Sequence, residues 1–221
     1  MGLTNFAFSL SHRLRHHPFR FLISGNLFSF FSGSEPGEEE VCRRVWPGPI
    51  WDIGASLGKY TTLMAEANPG HTIYAFEPNL NSLYYLGYRT AKYKNVVIVP
   101  GPLTAEAKIT ATTYDPNFVN PPTGPQAVAF PVEEAIRWFG APAFVKLDCE
   151  GFEYELLERC ASLLKNSTLL VEWHRIGLDG KPNPMASKFK PDLSYWRATD
   201  VSPNHQLLEP LQPAAVKPGQ S

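Results

Sequence analysis

The stretch Asp52-Ile53-Gly54-Ala55-Ser56-Leu57-Gly58-Lys59-Tyr60-Thr61 joins two different periodicities. Residues 50–53 before it are a short apolar run, and residues 59–67 after it are helical in pattern, closed by Asn68-Pro69-Gly70. Strand, glycine turn and helix in that order open a βαβ unit. The pattern then repeats: a strand over 71–76, Glu77-Pro78, a helix over 79–92 with Leu80, Leu83, Tyr84 and Tyr88 on one face, and a strand over 96–99. Such alternation predicts an α/β chain with a doubly wound, mainly parallel sheet flanked by helices.

Outward from this region the order loosens. Pro116, Pro121, Pro122, Pro125 and Pro131 exclude a long helix between 100 and 131, leaving short strands over 108–113 and 127–130 in an excursion over the sheet's edge. A helix over 132–139, a strand over 143–148, a helix over 151–164 burying Phe152, Leu156, Leu157, Cys160 and Leu164, and a strand over 168–172 come next. Beyond His174 the prolines multiply, and only a helical piece over 193–199 and an apolar run over 206–211 stand out. The organisation read from this is a helical or targeting-like segment over 1–45, one domain over 46–212 and a flexible tail over 213–221.

Composition narrows the partners. The 20 Lys and Arg nearly cancel the 21 Asp and Glu of the 221 residues, so no basic field exists to hold a phosphate backbone, and nucleic acid is not expected. Three cysteines with no C-x-x-C spacing fit a reducing, cytoplasmic compartment. Residues 1–34 contain no acid and carry Arg13, Arg15, Arg20, His12, His16 and His17, a targeting-like composition, although amphipathic helices on the core edge are the favoured reading. The apolar run over 21–31 has about half the ~20 residues that a membrane span needs. His12 and His16, spaced i, i+4, read as a solvated basic face rather than a metal pair.

In a doubly wound sheet, ligands bind beyond the carboxyl ends of the strands, where the winding reverses. Asp52 and Gly54, Glu77, Asp148 and Glu150, and Glu172 and His174 all fall at strand exits. Gly54 and Gly58 let the backbone approach a nucleoside, and Glu77, some twenty residues on, suits its ribose hydroxyls. The G-x-G-x-x-G of dinucleotide enzymes is absent, and Asp52 would repel a pyrophosphate but attract a cation. A nucleoside with a cationic end is S-adenosylmethionine. Strand alternation puts Lys146, Asp148 and Glu150 on one face, and Glu172 and His174 on one face with Trp173 opposed. Three charges on a central strand need partners or a ligand.

The segments D-I-G-A-S-L-G-K-Y-T (52–61), A-F-E-P-N (75–79), F-V-K-L-D-C-E-G-F-E (144–153) and L-V-E-W-H (170–174) resemble the FkbM-type family of S-adenosylmethionine-dependent methyltransferases. Ser56 stands where that family usually has Asn. The resemblance implies a class I methyltransferase fold with a seven-stranded sheet, and O-methylation of a hydroxyl on a sugar or small natural-product-like acceptor. The expected cofactor site is Asp52, Gly54, Ser56, Gly58, Tyr60, Glu77, Pro78 and Asp148. The expected catalytic set is His174 as base, Glu172 to orient it, and Asp148, with no metal. A divalent ion on Asp148, Glu150, Glu172 or His174 is the variant reading. The rivals are a non-catalytic binding module on the same fold and a nicotinamide-dependent oxidoreductase. Tyr114, Phe118 and Trp138 are candidate acceptor-stacking aromatics, and the proline-rich end leaves room for only short, atypical or absent final strands.

Overall fold

A computed structural model describes residues 36–113, 123–177 and 180–211. The expectations for residues 1–34, for His12 and His16, for Tyr114 and Phe118, and for the tail over 213–221 lie outside them. The chain divides into two units, Met1–Pro36 and Gly37–Ser221, and the second contains both sheets.

Helix α1 (Pro36–Cys42) precedes strand β1 (Ile50–Ile53), helix α2 (Lys59–Ala67), strand β2 (Ile73–Glu77), helix α3 (Leu80–Thr90) and strand β3 (Val96–Pro100). Strands β4 (Leu103–Thr104), β5 (Lys108–Thr113) and β6 (Thr123–Pro131) follow, then helix α4 (Val132–Phe139), strand β7 (Phe144–Leu147), helix α5 (Glu153–Leu164) and strand β8 (Thr168–Glu172). Helix α6 (Pro184–Lys188) and strands β9 (Trp196–Asp200) and β10 (His205–Pro210) complete the order.

The main sheet has seven strands in the order β3-β2-β1-β7-β8-β10-β9, and β10 runs antiparallel to both neighbours. The last strands are therefore present and short, five and six residues long, which excludes the absent end among the short, atypical or absent strands expected. The segment read as a helix over 193–199 supplies β9, and the apolar run supplies β10. The hydrophobic signal of β9 is thin because it has only Trp196 buried and sits at the sheet's edge. The excursion after β3 folds as a second sheet, β4-β6-β5.

Strand alternation sorts the core into two faces. Trp51, Ile53, Val145, Leu147, Val171 and Trp173 pack with α4 and α5, whereas Ile50, Phe144, Leu170 and Leu207 pack with Val41, Cys42, Met64 and Ala65 from α1 and α2. On α3 Leu86 and Thr90 are buried and Leu83 packs beside them, while Leu80, Tyr84 and Tyr88 are exposed, so of the expected face only Leu83 meets the core and the helix is turned from the expected orientation. Phe152 is likewise half-exposed, because it lies just before α5 begins rather than inside it. Asn79 sets the start of α3 by accepting the Asn81 and Ser82 N–H groups.

Candidate active site

After β1 the chain winds to β2 and β3, then returns to β7 on the other side of β1. The winding reverses between β1 and β7, and their exits form the crevice.

Gly54 holds φ +82°, and a Cβ there would come within 1.8 Å of the Asp148 carbonyl oxygen. Gly58 holds φ +80°, and its Cβ would meet Leu86 Cδ1 at 2.8 Å. Both glycines are thus required by the chain's own packing and dihedrals, where the sequence had suggested ligand approach. The Ser56 N–H donates to Glu77 Oε2 at 2.8 Å and the Asn79 N–H to Oε1 at 2.7 Å, so Glu77 ties the glycine turn to the exit of β2 beside Pro78. Burial pushes the Glu77 carboxyl up to about 7, although the two N–H groups pull it back.

Asp52, buried on the α1–α2 face, accepts the Thr61 hydroxyl on Oδ2 at 2.5 Å, while its buried Oδ1 has no hydrogen-bond partner. Burial raises its pKa to about 6 against the pull of Lys146 and Thr61. Tyr60 points elsewhere: its hydroxyl donates to Glu38, and Lys146 Nζ lies 4.6 Å from its ring centroid.

Beyond the crevice, six side chains close a ring of alternating charge. Lys146 Nζ lies 3.4 Å from Glu38 Oε1 and 3.0 Å from Asp148 Oδ2. His174 Nε2 is 3.8 Å from both Asp148 Oδ1 and Glu172 Oε1. His205 Nε2 closes the circuit at 3.3 Å from Glu172 Oε2 and 3.4 Å from Glu38 Oε1. Burial would discharge Lys146, but Asp148, Glu38, Asp52 and Glu172 hold its pKa well above the usual value. Burial also opposes charge on the two histidines, and the carboxylates around them prevail, lifting His174 to about 12 and His205 to about 10. Asp148 is correspondingly low, about 2: burial would raise it, and Lys146 and His174 outweigh that. Burial and Asp148 together raise Glu172.

His174 is gripped most closely by groups other than Glu172. Its Nε2 lies 3.3 Å from Glu150 Oε2, and its Nδ1 lies 3.2 Å from Glu153 Oε1. Glu150 adopts φ +54°, in the left-handed region, at the turn into α5. Of the expected catalytic groups, the fold does bring Asp148, Glu172 and His174 together. Glu38, Glu153 and His205 were missed. Glu38 hides in the run Glu38-Glu39-Glu40, Glu153 reads as an ordinary first-turn acid, and only the register placing His205 opposite Glu172 reveals the third.

Six carboxylates (Glu38, Asp52, Asp148, Glu150, Glu153, Glu172) thus accompany three cations (Lys146, His174, His205), an excess that favours a cationic ligand. Two triplets also have metal-compatible spacing, Asp148, Glu150 and His174, and Glu38, Glu172 and His205, each with ligand atoms within 4.8 Å of one another.

Residues 52–192 match the Methyltransferase FkbM domain. The chain belongs to this family. The FkbM domain spans the exits of β1, β2, β7 and β8, and S-adenosylmethionine is the donor such a methyltransferase uses. A methyltransferase from Geobacter sulfurreducens shares the fold at 15% identity and TM-score 0.52, over 94% of this chain and 88% of that one. An rRNA-methylase described as putative from Clostridium thermocellum shares it at 9% identity and TM-score 0.54, over 82% of this chain and 98% of that one. Against the fibrillarin pre-rRNA processing protein of Methanococcus jannaschii, at 15% identity and TM-score 0.47, the match covers 76% of this chain and 66% of the other, just under two thirds of it. No curated protein matches the sequence. Fold and family together make this a class I, S-adenosylmethionine-dependent methyltransferase. Among the described residues no helix is long and apolar enough to cross a membrane.

The residues of the crevice fit that cofactor. The orphaned Asp52 Oδ1, the acid excess and the Glu77 carboxylate at the end of β2 together suit a nucleoside with a positive end.

Proposed function

We propose that this FkbM domain methylates a hydroxyl on a sugar or small natural-product-like acceptor at the exits of β7 and β8. The observation that carries this reading is the His174–Glu150 contact at 3.3 Å, a proton-accepting pair at the mouth of the cofactor crevice. When bound, S-adenosylmethionine supplies an electrophilic methyl group on a sulfonium. Asp52, Ser56, Glu77, Pro78 and Asp148 would hold it, with Glu77 on the ribose and Gly54 and Gly58 shaping the turn that frames the site. Tyr60 serves from behind, through Glu38 and Lys146.

The chain must also remove the acceptor's proton. His174 is held as the imidazolium by the carboxylates around it, so the pair works as a relay in which the Glu150 carboxylate takes the hydroxyl proton as the methyl group transfers, while the His174 Nε2–H orients that carboxylate and stabilises its charge. Asp148 and Glu172 keep the imidazole in place. This reading takes no metal: Lys146, His174 and His205 alternate with Glu38, Asp148 and Glu172 around the ring, and the remaining acid excess is left for the cationic cofactor. An acidic mouth also suits an uncharged hydroxyl better than a polyphosphate backbone.

Transfer of isotope from labelled S-adenosylmethionine to a panel of hydroxylated sugars and polyketide-type alcohols tests this. His174→Ala and His174→Gln should abolish turnover while S-adenosylhomocysteine still binds. Intact turnover in both variants rejects the relay, and loss of activity in excess chelator rejects the metal-free form.

A further inference from the structure

On the opposite face of β8 from the charge ring lies a second cavity, of about 310 Å³. Its walls are aromatic and its rim is cationic. Tyr154 from the first turn of α5, Trp173 from the exit of β8 and Phe189 after α6 are all buried and form the floor. Arg175, Lys190 and the Gln206 side chain complete the lining. We propose that this cavity binds a ring-bearing organic anion, a carboxylate or a phosphate monoester, at a site separate from the cofactor crevice.

Three observations point there. First, the charged ends of both cations lack an ion pair: the Lys190 Nζ donates to the Ala186 carbonyl at 2.9 Å while the Glu158 carboxylate is taken by the Lys190 backbone N–H at 3.1 Å, and among the described residues no carboxylate forms a salt bridge with the Arg175 guanidinium. The rest of the sheet's carboxyl edge behaves in the opposite way, with every nearby cation matched to acids. Two cations at one aromatic pocket therefore form a local positive site beside a negative one. Arg175 acts on the Tyr154 phenol, opposing the upward push of burial, which places the guanidinium beside a ring that lines the pocket. Second, the lining is specific in shape. Trp173 donates its indole N–H to Gln206 Oε1 at 2.9 Å and the Gln206 NH₂ donates to Asp200 Oδ1 at 2.8 Å, a chain that fixes both the amide and the indole plane. Tyr154 and Trp173 pack with ring centroids 5.0 Å apart and planes tilted by 45°, an aromatic corner against which a ring can pack. Third, the volume sits at the small end of the range for organic-ligand sites, so it suits one or two rings rather than a polymer.

The ring packs against the aromatic floor and the anion meets Arg175, whose planar fork matches carboxylate and phosphate oxygens alike, with Lys190 adding a point charge. The acid-lined crevice cannot take such a ligand. The two faces of β8 thereby separate opposite charges into separate sites.

The test uses the full chain and ¹H–¹⁵N spectra, with the Trp173 indole and Gln206 amide signals as reporters. The probes are 4-hydroxybenzoate, phenyl phosphate and the neutral 4-hydroxybenzamide. At least one anion should shift both reporters saturably, with the amide at least about tenfold weaker, and the better anion tells carboxylate from phosphate. Arg175→Gln and Lys190→Gln, both at exposed positions, should each weaken that anion about tenfold, the scale of one charge-assisted hydrogen bond. Lys165→Gln, exposed and remote from the pocket, should change nothing. Equal binding of the amide, no shift with either anion, or wild-type affinity in both pocket variants overturns the proposal. Titrating S-adenosylhomocysteine into the same samples reads the methyltransferase assignment independently, since its signals belong to the other face.

Discussion

The Glu153 carboxylate joins the start of α5 to the exit of β8: Oε1 accepts the His174 backbone N–H at 2.8 Å and Oε2 accepts the Gly151 N–H at 2.8 Å. Its side chain is fully buried, and the same Oε1 faces the His174 imidazole. One carboxylate therefore fixes both the backbone and the ring of the residue that orients the proton acceptor.

Replacing Glu153 by Gln retains the shape but presents an NH₂ to one of two N–H donors. A buried donor left without an acceptor costs ~1–3 kcal/mol, more where charge is involved. Glu153→Gln should lower unfolding free energy by about 2 kcal/mol in urea titrations and reduce turnover through a looser His174. Unchanged stability would show that Glu153 does not hold this junction.

Lys146 is 2% exposed and is the cation shared by Glu38 and Asp148. Removing one partner of a buried ion pair strands the others, at a cost of ~3–5 kcal/mol. Lys146→Met should therefore destabilise strongly, and adding Glu38→Gln to it should restore part of the loss. The coupling in that double-mutant cycle measures how far α1 is anchored through charge. Additive effects would mean that its apolar contacts, Val41 and Cys42, hold it unaided.

Gly54 and Gly180 share nearly the same dihedral, φ +82° and +79°, but only Gly54 has a neighbour, the Asp148 carbonyl oxygen, in the space a Cβ would fill. Left-handed backbone alone costs ~1–2 kcal/mol for an L-residue. Gly180→Ala should lose about 1 kcal/mol, whereas Gly54→Ala must also push apart the exits of β1 and β7. The Gly54 variant should lose ~3 kcal/mol or more, or fail to fold. Thermal unfolding of the pair separates strain from steric conflict.

How much of this was legible depends on the range over which each signal acts. The turn over 52–58 and the apolar runs around it encode the parallel strands directly, because fully buried strands read as continuous hydrophobic stretches. Strand exits then named Asp52, Glu77, Asp148, Glu172 and His174. The face of α3 was misread because Tyr84 and Tyr88 are apolar enough to imitate a buried stripe while Leu86, Gly87 and Thr90 take the packing. Strand β9 reads as helical and β10 only as an apolar run, since their pairing is with each other and with β8, and β9, at the sheet's edge, buries only Trp196. Glu38 and His205 reach the ring from opposite ends of the chain, and no local pattern records a contact made at that distance.

The sharpest pH dependence should come from Glu77, with Asp52 adding to it. Their folded values, about 7 and about 6, lie above the ordinary 4.5 and 3.8, burial being the chief cause. The folded chain thus holds these protons more tightly than the unfolded chain does. Both groups reduce stability, an effect absent below pH ~4 and complete above pH ~7. Ligand binding has the reverse sign, because the ionised Glu77 carboxylate is the better acceptor for ribose hydroxyls. Its ionised fraction rises from a few per cent near pH ~5.5 to about three quarters near pH ~7.5, so S-adenosylhomocysteine should bind about tenfold more tightly, or better, over that interval. Calorimetric titration at several pH values measures this, and Glu77→Gln should both weaken binding and flatten the profile. A wild-type affinity that does not change across the interval would remove Glu77 from the ribose.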